Sequence, residues 1–512
     1  MSQHPRQVSR ALVLAAGQGT RLGNRTPKPL FELLGLPLLV RTLCTLERAG
    51  IAEAYVVLGY EADRVRVETE KRTRHLRIRV HWLRNDEWER PNGLSVLAGE
   101  AVMDEPFILA MSDHVFDPQV VTTLCERSDT VQGVDLAIDR RPERVTDLAE
   151  ATKVRVEDGR IAAIGKTIPH YDAVDTGVFL ATPAIFGAIR AARADGKEAL
   201  SDAVQKLADR GEARVTDIGS LVWQDVDTPR DAAEAERKLL YSVRKESDGI
   251  VARWLNRPVS IAVSRLLVRT PITPNQVTFG NLLLGLAAAG VAAIGGYTAF
   301  LIAGILFHVT SILDGTDGEV AKLKFLQSKR GEWFDTIADN ITYLAFLLGL
   351  MVGTHRIGLP DFYLFWGIVG MAVASITFVN LHFYLARRRN SGSFLSVKYG
   401  FEEGSTRYRK LMRVVQYLGK RDLMAFLVLL LAVFGQAPMV LPTFGIGATL
   451  LLLPYSTKVN LETLIRERSA RRRHHQKQPI TTATPAYAVA RSRRYWFSEE
   501  GSEVSQSGSR VA

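Results

Sequence analysis

The sequence predicts a two-part protein: a three-layer α/β domain of Rossmann-like type, followed by an all-α membrane domain of about six transmembrane helices. Three observations lead to this prediction. Short apolar runs alternate with amphipathic stretches up to about residue 235, which is typical of an α/β sheet domain. Long apolar runs dominate from about residue 270 onwards. The mean hydropathy of +0.03 lies between the values expected for soluble and for membrane chains.

Composition excludes several classes of protein. Of the 512 residues, 23% are charged and 47% hydrophobic, which excludes a disordered or fibrous chain. The two cysteines, Cys44 and Cys125, are too few for a disulfide framework or a cysteine metal site, and they fit a reducing, cytosolic compartment. The net charge of +11 would permit nucleic acid as a partner. However, the basic residues cluster beside apolar segments, so we interpret them as topology signals and expect no nucleic acid.

The first predicted domain covers residues 1–235. Its apolar strands at 11–16, 54–59 and 106–111 alternate with helical stretches, which indicates a mostly parallel sheet. The polar residues 1–10 do not resemble a secretory signal peptide. Residues 236–270 are predicted to form connecting and juxtamembrane amphipathic helices, with one helix running from 231 to 253.

The second predicted domain covers residues 271–460 and precedes a basic tail, 461–512, that we expect to be disordered. We expect spans at the following apolar runs: 276–294, 297–313, 337–353, 361–385, 423–436 and 440–457. Lysine and arginine crowd the segments 314–334 and 386–422, whereas the predicted outer loops carry only Arg356. The positive-inside rule therefore predicts a multi-pass plasma-membrane protein with a cytosolic N-terminal domain.

A glycine-bearing loop follows the first strand. The string GQGTRLGNRTPKP (17–29) places Gly17, Gly19, Arg21 and Lys28 directly after the apolar run. Glycines let a backbone approach a polyphosphate closely, and the two cations would stabilise a leaving pyrophosphate. On the glycines alone, an ordinary strand–turn–helix corner explains the loop equally well.

The whole string resembles the signature of the nucleoside-diphosphate-sugar pyrophosphorylases, in which G-x-G-T-R precedes P-K. Asp113 in ILAMSDHVF (108–116) and Asp227 in WQDVDTPRD (223–231) resemble the two metal-binding aspartates of that family. The resemblance implies a nucleotidyltransferase in which Arg21 and Lys28 are catalytic and Mg²⁺ or Mn²⁺ binds the two aspartates. The nucleotide-binding residues that it implies in this loop are Ala16, Gly17, Gly19, Thr20 and Arg21.

Four more residues of this domain are matched by the resemblance, though a surface loop explains each of them equally well. Asn92 and Ser95 resemble the loop that contacts the nucleotide base. Lys166 and Asp175 resemble positions that bind the phosphorylated sugar or polyol.

Four aspartates lie beside the predicted membrane spans. Asp314 and Asp317 are three residues apart, and Asp335 and Asp339 are four apart, so each pair shares one face of a helix. Carboxylates are costly near a bilayer, and four at helical spacing fit a loop of solvated acids poorly. An all-oxygen set favours Mg²⁺ or Mn²⁺.

The spacing D-x-x-D-G-x-x-A-x(9)-G-x-x-x-D-x-x-x-D resembles the CDP-alcohol phosphotransferase signature. The resemblance implies that all four aspartates contribute to metal binding and that Asp339 is the catalytic base for the acceptor hydroxyl. It also implies nucleotide contacts from Gly318, Ala321 and Lys322. Lys322 stands where that family usually has Arg, and lysine lacks the two-pronged geometry of guanidinium. Further cations fit either a pocket for a phosphorylated acceptor or a topology signal: Arg387, Arg388, Arg389, Arg407, Lys410 and Arg421.

The two halves in this order resemble the fused inositol-1-phosphate cytidylyltransferases and di-myo-inositol-phosphate-phosphate synthases. That resemblance implies two reactions in series, both on the cytosolic side. CTP and inositol 1-phosphate would give CDP-inositol and diphosphate, and transfer to a second inositol 1-phosphate would then release CMP. Two alternatives stay open: a phospholipid synthase with a lipid acceptor, and a non-catalytic membrane regulator. The first domain alone leaves CTP and UTP open, and family resemblance suggests a homodimer in the bilayer.

Overall fold

The computed structural model describes residues 8–23, 26–245, 248–388 and 421–452, with side chains omitted for 381–388 and 451–452. The predicted tail, the last part of the sixth predicted span, and the cations Arg389, Arg407 and Lys410 lie outside the described residues. Within them, an α/β domain is followed by a helical region, as the sequence predicts.

The α/β domain is built on one nine-stranded sheet with the order β5-β4-β1-β6-β11-β8-β12-β10-β9. Two small two-stranded sheets, β2 with β3 and β7 with β13, lie beside it. The strands are β1 Arg10–Ala15, β2 Glu32–Leu33, β3 Leu36–Pro37, β4 Glu53–Leu58, β5 Arg79–Arg84, β6 Phe107–Met111, β7 His114–Phe116, β8 Val134–Asp139, β9 Lys153–Glu157, β10 Arg160–Gly165, β11 Ala173–Ala181, β12 Ala213–Asp217 and β13 Trp223–Asp225.

The sheet is mixed, so the prediction of a mostly parallel sheet holds only for the β5-β4-β1-β6 half and for the pair of β8 with β12. Strands β5, β4, β1 and β6 run parallel to one another. Strand β11 then pairs antiparallel with both β6 and β8, and the hairpin β9–β10 closes the far edge. A hairpin needs only a short turn, whereas parallel neighbours need a crossover connection, and it is crossover connections that strand–helix alternation predicts.

Helices cover both faces of this sheet, which makes the predicted three-layer arrangement. Along β1, Ala11 and Val13 belong to one hydrophobic core while Leu12 and Leu14 belong to another. This alternation follows from the period of two residues along a strand. The helices of the domain are α1 Leu38–Arg48, α2 Ala62–Thr73, α3 Gly93–Leu97, α4 Pro118–Cys125, α5 Ala184–Ala194, α6 Leu200–Asp209 and α7 Pro229–Ser242.

The connection between the domains is not one continuous helix. Helix α7 begins with a capping box between Thr228 and Asp231 and ends at Ser242, short of the predicted end at 253. A π-helical turn, Ala252–Asn256, then leads into α8, Arg257–Leu267. Residues 246–247 between them lie outside the described residues.

The membrane domain has described helices at all six predicted positions. They are α9 Pro274–Ala292, α10 Tyr297–Leu323, α11 Lys329–Arg356, α12 Asp361–Arg388, α13 Arg421–Val433 and α14 Val440–Gly447. Among the described residues, three helices are long and apolar enough to cross a membrane: 297–323, 329–356 and 361–380. Length and hydropathy therefore support three of the six predicted spans, and the described parts of α9, α13 and α14 do not meet both criteria.

Small residues let α9 and α11 pack closely. A side chain at Gly349 would meet the backbone of Ala289, and one at Gly353 would meet the backbone of Ala292. A side chain at Gly285 would meet the side chain of Thr342. Close approach of this kind is typical of membrane helix pairs, whose association depends on packing rather than on expulsion of water.

A buried ion pair joins α8 to the helix that carries the first two aspartates. Arg257 donates to Glu319 at 2.5 Å and to Asp248 at 2.8 Å, and both guanidinium and carboxylate are almost fully buried. Ser260 and Ser264 donate to Glu319 at 2.8 and 2.7 Å. The carboxylate of Glu319 is therefore satisfied by one cation and two hydroxyls.

Replacing Arg257 by Gln is expected to destabilise the protein by about 3–5 kcal/mol, because Glu319 would remain buried without its cation. The measurement is thermal unfolding of the full chain in detergent, followed by circular dichroism. Arg237→Gln is the matched control, since Arg237 forms an exposed pair with Glu234 whose loss costs about 1 kcal/mol or less. Equal melting temperatures for the two variants would contradict a structural role for the buried pair.

Candidate active sites

The first candidate site lies where the glycine loop leaves β1. Gly19 has a φ of +78°, and a side chain there would collide with the side chain of Lys28. The amide of Lys28 donates to the carbonyl of Gln18 at 3.2 Å, and Pro27 precedes a 3₁₀ turn that holds Lys28–Leu30. The loop therefore folds around the lysine side chain, which is 9% exposed.

Four of the predicted residues, this lysine among them, form one cluster. The Nζ atom of Lys28 forms ion pairs with both Asp113 and Asp227. Arg21 donates to the second oxygen of Asp227 at 2.8 Å. The sequence reasoning placed these residues at one site although they come from three separate segments of the chain.

The charges at this site support one another. Burial lowers the pKa of Lys28, but Asp113, Asp225 and Asp227 outweigh burial and raise that pKa above its ordinary value. Burial raises the pKa of Asp113, but Lys28 and His114 outweigh it, and the net shift of that pKa is downward. Lysine cation and aspartate anion therefore both persist at neutral pH.

Two residues that the sequence reasoning missed complete the cluster. His114 and Asp225 face each other across the β7–β13 pair, in which they are register partners. The Nε2 atom of His114 lies 3.7 Å from Asp113 and 3.6 Å from Asp225. Both residues adjoin predicted ones in the sequence, because His114 follows Asp113 and Asp225 is two residues before Asp227.

This cluster has the properties of a cation site. Ligand atoms of Asp113, His114 and Asp225 all lie within 4.8 Å of one another. The Oδ1 atom of Asp225 is buried and has no hydrogen-bond partner. Burial raises the pKa of Asp225 to about 6. Burial lowers the pKa of His114, but Asp225 and Asp113 outweigh burial, and the net shift of that pKa is upward. An unsatisfied buried carboxylate oxygen among oxygen and imidazole donors fits a divalent cation.

The remaining predicted residues of this domain make other contacts. Asn92 accepts from the amide of Leu200 at 3.0 Å, and Ser95 accepts from the side chain of Asn85 at 2.9 Å. Lys166 pairs with Glu150 at 2.9 Å, and Glu150 lies 3.9 Å from Arg21, so Lys166 is linked to the glycine loop through one carboxylate. In that loop Gly17 is exposed, Ala16 accepts from the amide of Tyr60 at 3.1 Å, and Thr20 begins a 3₁₀ turn.

Asp175 is followed by a tight turn that contacts His114. Its carboxylate accepts from the amide of Gly177 at 2.7 Å. Burial raises the pKa of Asp175 to about 6. The carbonyl of the intervening Thr176 lies 2.7 Å from both the His114 Nδ1 atom and the indole nitrogen of Trp223. This turn therefore fixes the orientation of the His114 ring.

Gly177→Ala is expected to destabilise the α/β domain by about 1–3 kcal/mol beyond the backbone strain alone. The added methyl group would lie 2.6 Å from the His114 ring at a φ of +71°. Gly159→Ala is a matched control, because Gly159 has a φ of +73° and open space around it. Thermal unfolding of both variants separates strain from collision, and equal destabilisation would show that the ring contact has no cost.

The second candidate site lies between α10 and α11. Carboxylate oxygens of Asp314, Asp335 and Asp339 lie within 4.8 Å of one another. Asp317, on the same face of α10 as Asp314, accepts from the hydroxyl of Thr278 on α9 at 2.5 Å. All four predicted aspartates thus lie along the facing sides of two helices.

Arg421 provides the positive charge at this second site. Its guanidinium forms ion pairs with both Asp314 and Asp339, and one of its terminal nitrogens is buried without a partner. It also lies 5.5 Å from the centre of the Tyr343 ring. A cation bridging two of the acids indicates that the cluster accommodates positive charge, and an all-oxygen donor set fits a divalent metal ion.

The three residues predicted to contact nucleotide differ in their surroundings. Gly318 faces open space, so a ligand could approach the backbone there. Ala321 is half-buried, and its carbonyl accepts from the amide of Leu326 at 2.9 Å. The Nζ atom of Lys322 donates to the carbonyl of Ser242 at 2.6 Å, so this side chain is directed toward the end of α7.

Comparisons with known proteins agree with both halves of this description. Residues 11–215 match the family model of the MobA-like NTP transferase domain, and residues 271–453 match that of the CDP-alcohol phosphatidyltransferases. The "Bifunctional IPC transferase and DIPP synthase" of Archaeoglobus fulgidus is 33% identical over 83% of this chain and 78% of its own length. The protein of the same description from Thermococcus kodakarensis is 33% identical over 84% of this chain and 91% of its own. The solved structure of the inositol-1-phosphate CTP transferase from T. maritima covers 46% of this chain and 97% of its own chain. The sequence identity is 25% and the TM-score is 0.41.

Fold, acidic clusters and family matches together define an enzyme in which a nucleotidyltransferase domain is fused to a membrane CDP-alcohol phosphotransferase domain. More particularly, because relatives at 31–37% identity cover most of the chain, it belongs to the family of bifunctional IPC transferases and DIPP synthases.

Proposed function

We propose that this enzyme makes an activated phospho-alcohol at its first site and transfers it at its second. The first reaction converts CTP and inositol 1-phosphate to CDP-inositol and diphosphate. The second transfers phosphoinositol from CDP-inositol to another inositol 1-phosphate, releasing CMP. The observation that carries the proposal is that one chain contains two separate acidic clusters, each paired with a largely buried cation.

At the first site, Lys28 and Arg21 are proposed to bind the phosphates of CTP. Both cations already contact Asp227, so their positions are fixed before the nucleotide enters. As the bond between the α- and β-phosphates breaks, negative charge grows on the leaving diphosphate, and these cations stabilise it. The exposed Gly17 and the turn at Gly19 leave room for the phosphate chain beside the lysine.

At the second site, Asp339 is proposed to take the proton from the acceptor hydroxyl, which then attacks the phosphorus atom of CDP-inositol. The ion pair with Arg421 holds the carboxylate in place, and Gly318 leaves space for the nucleotide. The CMP that leaves carries the displaced negative charge.

A divalent cation, Mg²⁺ or Mn²⁺, is proposed at both clusters. Asp113, Asp225 and His114 would hold it at the first site, with Asp227 beside them, and Asp314, Asp317, Asp335 and Asp339 at the second. When bound, such an ion neutralises phosphate charge and orients the phosphoryl groups. We also propose that the α/β domain and both sites face the cytosol, where CTP is available.

Phosphorus NMR of the purified protein in detergent, with Mg²⁺, CTP and inositol 1-phosphate, tests this proposal. We expect diphosphate, CDP-inositol and a new phosphodiester to appear in that order, without added lipid. Accumulation of CDP-inositol with no diester would refute the soluble acceptor and favour a lipid alcohol. If neither diphosphate nor CDP-inositol formed, the activated alcohol would be wrong. Parallel reactions with UTP check the choice of nucleotide.

A further inference from the structure

A cavity lies where the α/β domain meets the end of helix α10, apart from both acidic clusters. Its walls come from α1, from the segment after β7, from the end of α7 and from Lys322–Phe325. Its volume of about 70 Å³ is several times the space that one water molecule needs, and it suffices for a group of about five heavy atoms.

The charged side chains around this cavity do not balance. Among the residues that the structure describes, three cations line it, Arg41, Arg48 and Lys322, and one carboxylate, that of Asp117. That carboxylate already accepts from the amide of Gln119 at 2.9 Å as the cap of α4. The lining therefore has an excess of positive charge.

Arg41 is the most unusual of the three cations. It is 3% exposed, and its Nε atom is buried with no hydrogen-bond partner. Its other nitrogens donate only to backbone carbonyls, to Leu33 at 2.8 Å and Leu323 at 3.4 Å. Burial lowers the pKa of Arg41 to about 10, and the opposing effects of Cys44 and Glu236 are smaller than the effect of burial. A buried guanidinium without a carboxylate is costly unless an anion compensates it.

The other two cations lie on the solvent-exposed side of the cavity lining. Arg48 and Lys322 are exposed, and they donate to the neutral partners Gln327 and the Ser242 carbonyl, each at 2.6 Å. Arg41 and Arg48 each lie over the Phe325 ring, at 5.6 and 4.6 Å from its centre, so both guanidinium groups are held near the same ring. Two guanidinium groups and an ammonium around so small a space match the charge and size of a phosphate group.

We propose that this domain junction binds a phosphate group through Arg41, Arg48 and Lys322. The phosphate belongs either to a phospholipid headgroup or to a diffusible phosphate ion. Because the cations come from both domains, the bound anion would tie the α/β domain to the helix that carries Asp314 and Asp317. The site does not depend on either proposed reaction.

The test uses the full chain purified in a phosphate-free, non-ionic detergent. One arm measures the phosphorus in the lipid extract of the purified protein. The other measures binding of radiolabelled inorganic phosphate to delipidated protein by equilibrium dialysis, without nucleotide or metal. Arg41→Gln could fail to fold, because its guanidinium holds two backbone carbonyls, so the informative variants are Arg48→Gln and Lys322→Gln. Arg66→Gln, an exposed arginine on α2, is the control.

We expect each informative variant to lose the bound phospholipid or to raise the Kd for phosphate about tenfold or more, since a charge-assisted contact disappears. Loss of extracted phosphorus identifies the lipid source, and weakened phosphate binding identifies the diffusible source. Phosphate bound at the catalytic sites would be the same in the parent and in Arg48→Gln, which therefore separates the junction from those sites, whereas the family resemblance places Lys322 at the nucleotide of the second site. Equal phosphorus content and equal binding in the parent, the two variants and the control would overturn the proposal.

Discussion

Replacing Asp113 by Ala is expected to abolish release of diphosphate from CTP, with a loss of about 10³-fold or more in rate. The carboxylate contacts Lys28 and faces His114 and Asp225, so its removal disturbs the cation and the cluster together. A loss of this size corresponds to about 4 kcal/mol of transition-state stabilisation, which is reasonable for a metal and phosphate site. The measurement is a coupled diphosphate assay with CTP and inositol 1-phosphate.

The same variant also tests whether the two sites are independent. CDP-inositol supplied from outside should still be converted with release of CMP, because the second cluster lies on the helices α10 and α11, outside the α/β domain. Asp86→Ala is the matched control, since Asp86 is an exposed carboxylate of the same domain that pairs only with Arg84. Unchanged diphosphate release from Asp113→Ala would refute the assignment of the first site.

The local features of the fold could be predicted from the sequence, and the long-range ones could not. Apolar runs at 11–16, 54–59 and 106–111 correspond to β1, β4 and β6, because a buried parallel strand is a continuous apolar segment. The order of the later strands depends on which strand edges pair with each other. The antiparallel pairing of β11 with β6 and β8 cannot be read from the residue type at any single position. The mixed sheet was missed for that reason.

The candidate sites show the same division. The family resemblance, rather than spacing alone, predicted that Lys28, Asp113 and Asp227 belong to one site, and in the structure Lys28 pairs with both aspartates. Asp225 and His114 meet through the pairing of β13 with β7, between strands more than a hundred residues apart in the chain. The sequence predicts either an acceptor pocket or a topology signal for Arg421. The residues next to it in the sequence do not indicate that it contacts Asp314 and Asp339, as it does in the structure.

Asp339→Asn is expected to stop release of CMP while CDP-inositol synthesis continues, so that CDP-inositol accumulates. The amide keeps the shape of the side chain but cannot accept the proton of the acceptor hydroxyl, and loss of a general base costs about 10²–10⁴-fold. The change also removes one negative charge from the cluster and leaves Arg421 paired only with Asp314. Phosphorus NMR follows both products in one sample.

A matched carboxylate and a binding measurement separate this role from a structural one. Asp361→Asn changes an exposed aspartate at the start of α12 and should leave CMP release unchanged. If Asp339 acts as the base, CDP-inositol should still bind to the Asp339→Asn variant, since Asp317 and Gly318 on α10 are untouched. Normal CMP release in this variant would remove Asp339 from the reaction. Loss of both binding and diphosphate release would instead mean that the substitution had disrupted the fold.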